Sequence, residues 1–478
     1  MAYESITFNG IRKDWLYIER GRSKPPFAAR KRNLLTVPGY PGGYLASTDI
    51  DPLPISQPVG FRIKDDADAL TKKDELAEWL LTDKPVPLKF DDEPGRIYYA
   101  VVQNTLDDFE KMAVLRRGTI QFICPDPYAY GPEKPFSATS DYFNIKNEGT
   151  AEAEPVFEFE VTAPITFLMI QNQLGEYNMV GKPIDLTKQE PVQEYERLIY
   201  NPMNSVTGFT TATRVENSYI QGVMDANGAM IATDFGVERS SEFYGPAVKT
   251  SVSEVLSDFM VDMLVTFDNG NSPGQVGKVE LYLYDELENV IAKLAMQDAW
   301  AHRSMTNGII RIGDQTVNNY MIDENNAYWN SFYGILRILR KGDYWEAYIA
   351  ELDENRKHHT RKFTSFKDNE GLFTDKQLAQ VGIHIARWGA ADEVRTFVHH
   401  LSVSKINSLG NNGVPYIADV GDIITFDHTN NGQVYINGEP YEDSILGADY
   451  FTLKKGDNNL LVMPGSLKTS GSYRERYL

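Results

Sequence analysis

Between Ile6 and Ile63 the chain alternates short apolar stretches with turn residues, the breaks reading "NG", "PP", "VPGYPGGY" and "DPLP". Punctuation this dense predicts strands and loops. One segment changes period. In "TKKDELAEWLLTDKP", Leu76, Trp79 and Leu80 recur at spacings of three and four, the apolar stripe of a helix. Thr71 with Asp74 three residues on predicts its N-cap, and Pro85 and Pro87 its end. Strand patterns return in "VPLKF", "IYYAVV" and "GTIQFI". The last of these runs into "FICPDPYAYGPEK", where Pro125, Pro127 and Pro132 deny the ladder its donors and predict a stopped strand and a stiff connector.

From about Phe136 a second strand-rich unit begins, with "YFNIKNEGTAEAEPVFEFEV" and "TFLMIQN". From about Asn204 to Asn407 the strands lengthen and prolines thin out. "KVELYLYD" puts Val279, Leu281 and Leu283 on one face and Glu280, Tyr282 and Tyr284 on the other. "ILRILRKGDYWEAYIAEL" predicts a hairpin turning at Lys341, Gly342 and Asp343, and "VGIHIARW" and "FVHHLSVSKI" add further strands. Long strands without intervening helices predict a two-sheet sandwich of jelly-roll type. Shorter strands follow, including a tight hairpin on Asn437 and Gly438. The expected organisation is mainly β: an N-terminal domain (1–134), a discontinuous second sandwich (135–203 with 408–478), and a jelly roll (204–407) inserted in one of its loops.

A chain of 478 residues is too long for one core, which agrees with several domains. No apolar run approaches the roughly 18 residues of a spanning helix, so no membrane insertion is expected. "MAYESITFNGIRK" lacks a basic segment followed by an apolar one, so no secretory signal is expected either. The single cysteine, Cys124, excludes an internal disulfide and a thiolate metal cluster and fits a small buried side chain. A net charge of −20 argues against nucleic-acid recognition. Residues 12–32 run the other way, with eight Lys or Arg against two acids. That run reads either as a solvated loop or, at Arg30, Lys31 and Arg32, as a contact to an acidic neighbour.

Catalytic patterns are weak. No HExxH, GxSxG, P-loop or GxGxxG stands in a fitting context. The histidine pairs His358-His359 and His399-His400 point to opposite strand faces, and His399 is expected in the core beside Phe397, Leu401 and Val403. Glu351 and Asp353 share a strand face as glycosidase acids do, but sit beside "NRKHH" at a strand end, so no enzymatic function is expected. The loop "DNGNSPG" (268–274) offers oxygen ligands that equally serve turns; neither metal nor cofactor is predicted. Sugar-binding candidates are Tyr282, Tyr284, Tyr344, Glu346 and Tyr348, as one polar-aromatic surface, with Trp329 and Trp388 in loops at a sandwich edge. Trp345, on a face with Ala347 and Ile349, is expected in the core. For each candidate taken alone, ordinary packing is the competing account.

The order of features in the first part of the chain, "FNG", "LLTVPGYPGGYL", a helix ending "AEWLL", "LKFDDEPGRIYYAVV" and "GTIQFICPDPYAYG", resembles the distal tail proteins of siphophages infecting Gram-positive bacteria, as does the terminal "SGSYRERYL". The resemblance spans about the first 200 and last 70 residues. It implies an N-terminal β-sandwich with one helix and an extended hairpin that assembles into a hexameric ring, and a galectin-like C-terminal sandwich projecting outward. It further implies a structural virion protein at the tail tip, made in the bacterial cytoplasm. The implied partners are the other copies of the chain, the major tail protein, the tail-associated fibre or lysin, and a receptor-binding protein. Longer members of the family carry carbohydrate-binding modules, which implies that residues 204–407 grip a host cell-wall glycan. A purely structural or protein-binding insert remains the alternative, with a glycan-processing enzyme or a stand-alone lectin behind it.

Overall fold

The computed structural model describes residues 4–103, 110–112, 115–429, 432–442 and 448–478. Strands dominate it, with one α-helix among the described residues. The N-terminal strands join in an eight-stranded sheet, whose longest pairing sets Leu53–Arg62 antiparallel to Leu115–Cys124. Leu53, Ile55, Val59 and Phe61 alternate into the core, and the helix Asp66–Leu80 covers it with Leu76, Trp79 and Leu80. Trp79 Nε1 donates to Phe8 O (2.9 Å), fixing the indole among apolar neighbours.

The helix starts six residues, nearly two turns, earlier than the capping pattern predicts. Asp65, in extended geometry, accepts from the Asp68 N–H, and Thr71 lies inside the helix with its hydroxyl turned back to Ala67 O. Asp66 and Asp68 in the first turn complement the positive end of the helix dipole, so the earlier start is favoured electrostatically.

Arg30–Leu35 and Tyr44–Ile50 form a two-stranded sheet of their own, exposed along almost its whole length. The strand that meets the prolines does stop at Cys124. Only residues 125–128 then intervene before Ala129–Ser137 opens the next sheet. Pro132 is therefore inside a strand, not in a connector: it sits where the register shifts between Tyr130 and Glu133 on an edge strand, a position that needs no ladder donor.

The following sandwich is built from both ends of the remaining chain. Leu467–Tyr477 lies between Ala129–Ser137 and Pro155–Val161 in a six-stranded sheet, and Gly456–Met463 lies between Tyr142–Asn147 and Phe167–Asn172 in a four-stranded one. Phe157, Phe159, Leu168, Phe426, Leu460 and others fill the space between. The chain leaves and re-enters this unit through the parallel pair Glu190–Val192 and Gly413–Pro415.

Between them stands a larger sandwich of an eight-stranded and a nine-stranded sheet. Tyr195–Asn201 already pairs with Arg395–Ile406, so the excursion begins before Asn204. Val279, Leu281 and Leu283 from one sheet meet Trp345, Ala347 and Ile349 from the other in its core. The hairpins turn at 342–343 and at Asn437-Gly438, where the patterns predict them. The three cores share no residue.

Candidate ligand-contact surfaces

Because Val279, Leu281 and Leu283 face the core, Lys278, Glu280, Tyr282 and Tyr284 face outward from the nine-stranded sheet. They are nonetheless buried: Tyr282 is 0% and Tyr284 1% exposed. A strap formed by residues 213–218 lies across them. Tyr282 accepts from the Glu216 N–H (2.9 Å) and donates to Glu280 Oε2 (2.8 Å), and Tyr284 donates to Arg214 O. Arg311 clasps Glu216 Oε1 at 2.7 Å, and Lys278 Nζ reaches Glu216 O at 3.0 Å. Beneath the strap Glu280 is gripped by Lys278 (2.9 Å) and Lys293 (3.1 Å). Burial opposes its charge, but the two ammonium groups and the His384 hydrogen bond overcome that and hold the carboxyl well below its usual range. Burial also lowers the pKa of His384; its Nδ1 hydrogen-bonds Glu280 Oε2 at 2.9 Å and its Nε2 lies 3.2 Å from Ser218 Oγ. Tyr282 and Tyr284 thus hold a closed polar layer together and offer no open stacking face. Strand alternation put them outside the core but could not reveal a cover coming from more than sixty residues away.

Tyr344, Glu346 and Tyr348 lie on the eight-stranded sheet, with Trp345 inward between them. They therefore face the opposite side of the sandwich from Tyr282 and Tyr284, and the single polar-aromatic surface expected from sequence does not form. Tyr344 is exposed and Glu346 half-buried. Tyr348 is buried, its hydroxyl 2.9 Å from His358 Nδ1 and its ring beneath Arg337. Desolvation drives His358 down to about 4, so it stays neutral at pH 7. This face is where the second sandwich docks. Arg337 bridges Asp262 and, at 2.7 Å, Glu439; Lys357 pairs with Asp427 at 2.8 Å and covers the Tyr435 ring.

Trp329 is not at an edge either. The 3-10 turn Ala327–Asn330 folds its ring over Gly308, where an added Cβ would lie 2.5 Å away, and leaves it 2% exposed in the core. Trp388 is half-buried at the end of its strand, edge-on to Phe243 at 4.8 Å. His399 departs from its expected core position. A bulge between Val398 and His400 turns it outward, half-buried, hydrogen-bonded to Thr266 Oγ1 (2.8 Å), while Val398, Leu401 and Val403 take the core.

Glu351 and Asp353 do not work as a pair. Asp353 Oδ1 accepts from the Asn355 and Lys357 N–H groups (2.8 Å each), closing the turn, while Glu351 lies 3.7 Å from His359. In the loop 268–274, Asp268 likewise accepts from the Gly270 N–H at 2.9 Å, a turn role. Cys124 is fully buried, and burial pushes its thiol up to about 12.

The basic run divides in two. Arg12 pairs with Asp91, Lys13 with Glu75, Arg22 with Asp92 and Glu93, and Lys24 with Glu93. Arg30, Lys31 and Arg32 instead stand on the exposed hairpin and, among the described residues, form no ion pair. Around them Leu34 (60%), Leu35 (60%), Tyr44 (62%) and Leu45 (57%) are open to water.

Sequence reading missed Trp300. It is 42% exposed, in the loop between Val290–Asp298 and Thr306–Gly313, with the Arg303 guanidinium 4.0 Å over its ring. A tryptophan between "QDA" and "AHRS", outside any alternating pattern, was the available signal.

Residues 12–124 match the family model of the phage tail protein RIFT-related domain, and residues 397–477 that of the siphovirus-type tail component C-terminal domain. The two ends of the chain are thus each similar to a domain of phage tail components. In particular the chain is similar to the distal tail protein of Bacillus phage SPP1, at 30% identity over 137 residues, 28% of its length. The match spans about half of that relative, 53% of its length. The crystal structure of SPP1 Dit, described as a paradigm of the hub adsorption apparatus in phages infecting Gram-positive bacteria, superposes with a TM-score of 0.34 at 22% identity, covering 37% of this chain and 74% of that one. The CBM2 module of the evolved Dit of Lactobacillus casei BL23 phage J-1 superposes at 0.39 and 15% identity, covering 45% of this chain and 98% of the module. The laminarinase of Rhodothermus marinus gives 0.33 and 8%, covering 45% and 98%. Superpositions at this level carry no functional argument.

Proposed function

We propose that the chain is a distal tail hub: a structural virion protein at the tail tip that builds a ring from its N-terminal domain and carries an adhesive module on its second sandwich. The observation that carries this is the hairpin of Arg30–Leu35 and Tyr44–Ile50. A two-stranded hairpin alone in water is marginal, yet this one stands clear of every core with four large apolar side chains more than half exposed, on a chain similar at both ends to a tail component. It gains stability from a neighbouring copy, which its cations would meet through acidic groups of a chain whose net charge is −20. Cyclic repetition of that contact closes a hexameric ring. The ring would sit between the major tail protein and the tail-associated fibre or lysin, with a receptor-binding protein at its rim, after synthesis in the host bacterial cytoplasm.

The division into domains 1–134, 135–203 with 408–478, and 204–407 belongs to the same proposal, the pairing of Tyr195–Asn201 moving the start of the insert slightly earlier. The insert is assigned to host cell-wall glycan binding. A scaffold role is the second reading, favoured by the strap that fills its nine-stranded sheet. No catalytic group is assigned, since Asp353 is engaged in its own turn.

Native mass measurement across a concentration series tests the hub. A discrete oligomer is expected, reduced to monomer by Leu34→Asp with Leu45→Asp. A wild-type chain that stays monomeric at high concentration and with the tail-tube partner present would end the ring reading.

A further inference from the structure

Both broad faces of the inserted sandwich are largely engaged, one by the strap and the other in part by the second sandwich. Two of its exposed aromatic residues stand together at one end, where Phe259–Asp268, Val290–Asp298 and Asn318–Asn326 finish and Gly277–Tyr284, Thr306–Gly313 and Ser331–Lys341 begin. Trp300 is 42% exposed there and Tyr328 77%.

The loops that present them are tied from beneath. Asp298, fully buried, accepts from the Trp300 N–H (2.9 Å) and the Met305 N–H (3.3 Å), pinning the tryptophan loop at both ends. Asn269, also fully buried, donates to Asp298 Oδ2 (2.7 Å). Asn330, 3% exposed, donates to Asn271 Oδ1 (3.0 Å) and Ser304 O (3.2 Å), and its Oδ1 accepts from the Thr306 N–H at 3.0 Å. One buried amide thereby fastens the loop 269–275, the tryptophan loop and the turn carrying Tyr328. Three loops locked by interior polar groups, with large aromatics left in water, make a pre-organised surface whose ordering entropy is already lost before any ligand arrives.

We propose that this loop end, centred on Trp300 and Arg303 with Tyr328 on the turn tied to the same loop, is the glycan contact of the insert and takes a neutral pyranose of a wall polysaccharide. The inference rests on the adhesion reading above. A pyranose has an apolar C–H face that matches an indole or phenol ring and a rim of hydroxyls that matches guanidinium donors; since Arg303 lies 4.0 Å over one face of the Trp300 indole, the sugar would stack on the other face or on the Tyr328 ring. The net charge of −20 disfavours a polyanionic chain such as a uronic-acid or phosphate polymer. Each contact is weak, and repetition around a ring supplies the avidity.

The full-length protein is tested on immobilised neutral hexose and N-acetylhexosamine oligosaccharides, with uronic-acid and glycerol-phosphate polymers as the anionic arm. Binding to a neutral set is expected, weakened about tenfold or more by Trp300→Ala, restored in part by Trp300→Phe, and weakened by Arg303→Ala. Unchanged unfolding temperatures would exclude misfolding, since both side chains lie at the surface. Retention in Trp300→Ala, or loss with Phe397→Ala on the opposite sheet instead, would overturn the site while leaving adhesion intact. Binding only to the anionic arm would overturn the ligand class. A wild-type chain that binds no sugar at all would overturn the adhesion reading and this site with it.

Discussion

Glu280 is the residue on which the covered face of the inserted sandwich turns. It is fully buried and holds two ammonium groups, a tyrosine hydroxyl and an imidazole. Replacing such a carboxylate by an amide leaves Lys293 with the Glu216 carboxylate, already clasped by Arg311, and Lys278 with the Glu216 backbone carbonyl. Removing one partner of a buried ion pair typically costs about 3–5 kcal/mol, because the surviving charge stays dehydrated. Glu280→Gln should therefore lower the unfolding midpoint of the insert steeply in denaturant titrations. Glu351→Gln, whose ionic neighbour among the described residues is the exposed His359 at 3.7 Å, should stay within about 0.5 kcal/mol of wild type. A similar loss in both variants would mean that the layer under the strap contributes no net stability. The mechanism also accounts for the choice of residues: an outward-facing Lys-Glu-Tyr-Tyr alternation suits water as well as a polar cover, and only the strap decides between them.

The helix shows what local pattern can and cannot carry at the scale of one element. Its apolar stripe was legible because Leu76, Trp79 and Leu80 obey the helical period, and all three are buried. Its start was not, because Asp65 and Thr71 both suit a cap and only the backbone chooses. Asp65→Ala should cost about 1 kcal/mol of N-terminal stability, read by thermal unfolding, and Thr71→Ala much less, since Thr71 bonds back to Ala67 inside the helix. The reverse order would restore the later start. The same division runs through the β-structure. Hairpins at Gly342 and at Asn437-Gly438 follow from turn chemistry over a few residues, and the inward position of Trp345 follows from alternation. His399 escaped because a single bulged residue inverts the face assignment on one side of it, and bulges leave no mark in a hydrophobic pattern. Trp329 escaped because a short 3-10 turn swings its ring into the core. The loop-end surface was invisible for another reason: its parts come from three loops joined by Asn330.

For the whole molecule, the proposed hub would have to fix its outer parts relative to a ring, so that every copy presents its insert alike. Two joints bear on this. Between the N-terminal sheet and the second sandwich, Ile97 and Tyr130 exchange backbone hydrogen bonds, Tyr99 packs edge-on to Tyr130 at 5.5 Å, Arg474 donates to the Tyr99 hydroxyl at 2.7 Å, and Arg96 covers Tyr477. With residues 125–128 as the whole covalent link, this cluster sets the angle. Between the second sandwich and the insert, the hairpin at Asn437-Gly438 enters against residues 356–358. His358 donates its N–H to Gly438 O at 3.0 Å, and a Cβ on Gly438 would fall 1.9 Å from Arg356 O. Glycine is needed there twice over, for a φ of +85° and for the close approach. Gly438→Ala should thus keep all three cores folded while prising the insert from its seat, and Glu439→Ala should do so more mildly by releasing one of the two acids on Arg337. Small-angle scattering would register a larger radius of gyration, and limited proteolysis would cut near residues 190–195 and 407–413, with unfolding temperatures of the separate cores nearly constant. If Gly438→Ala left scattering and proteolysis unchanged, the insert would be held by its two crossing strands alone, and the ring would carry it as a loosely tethered module.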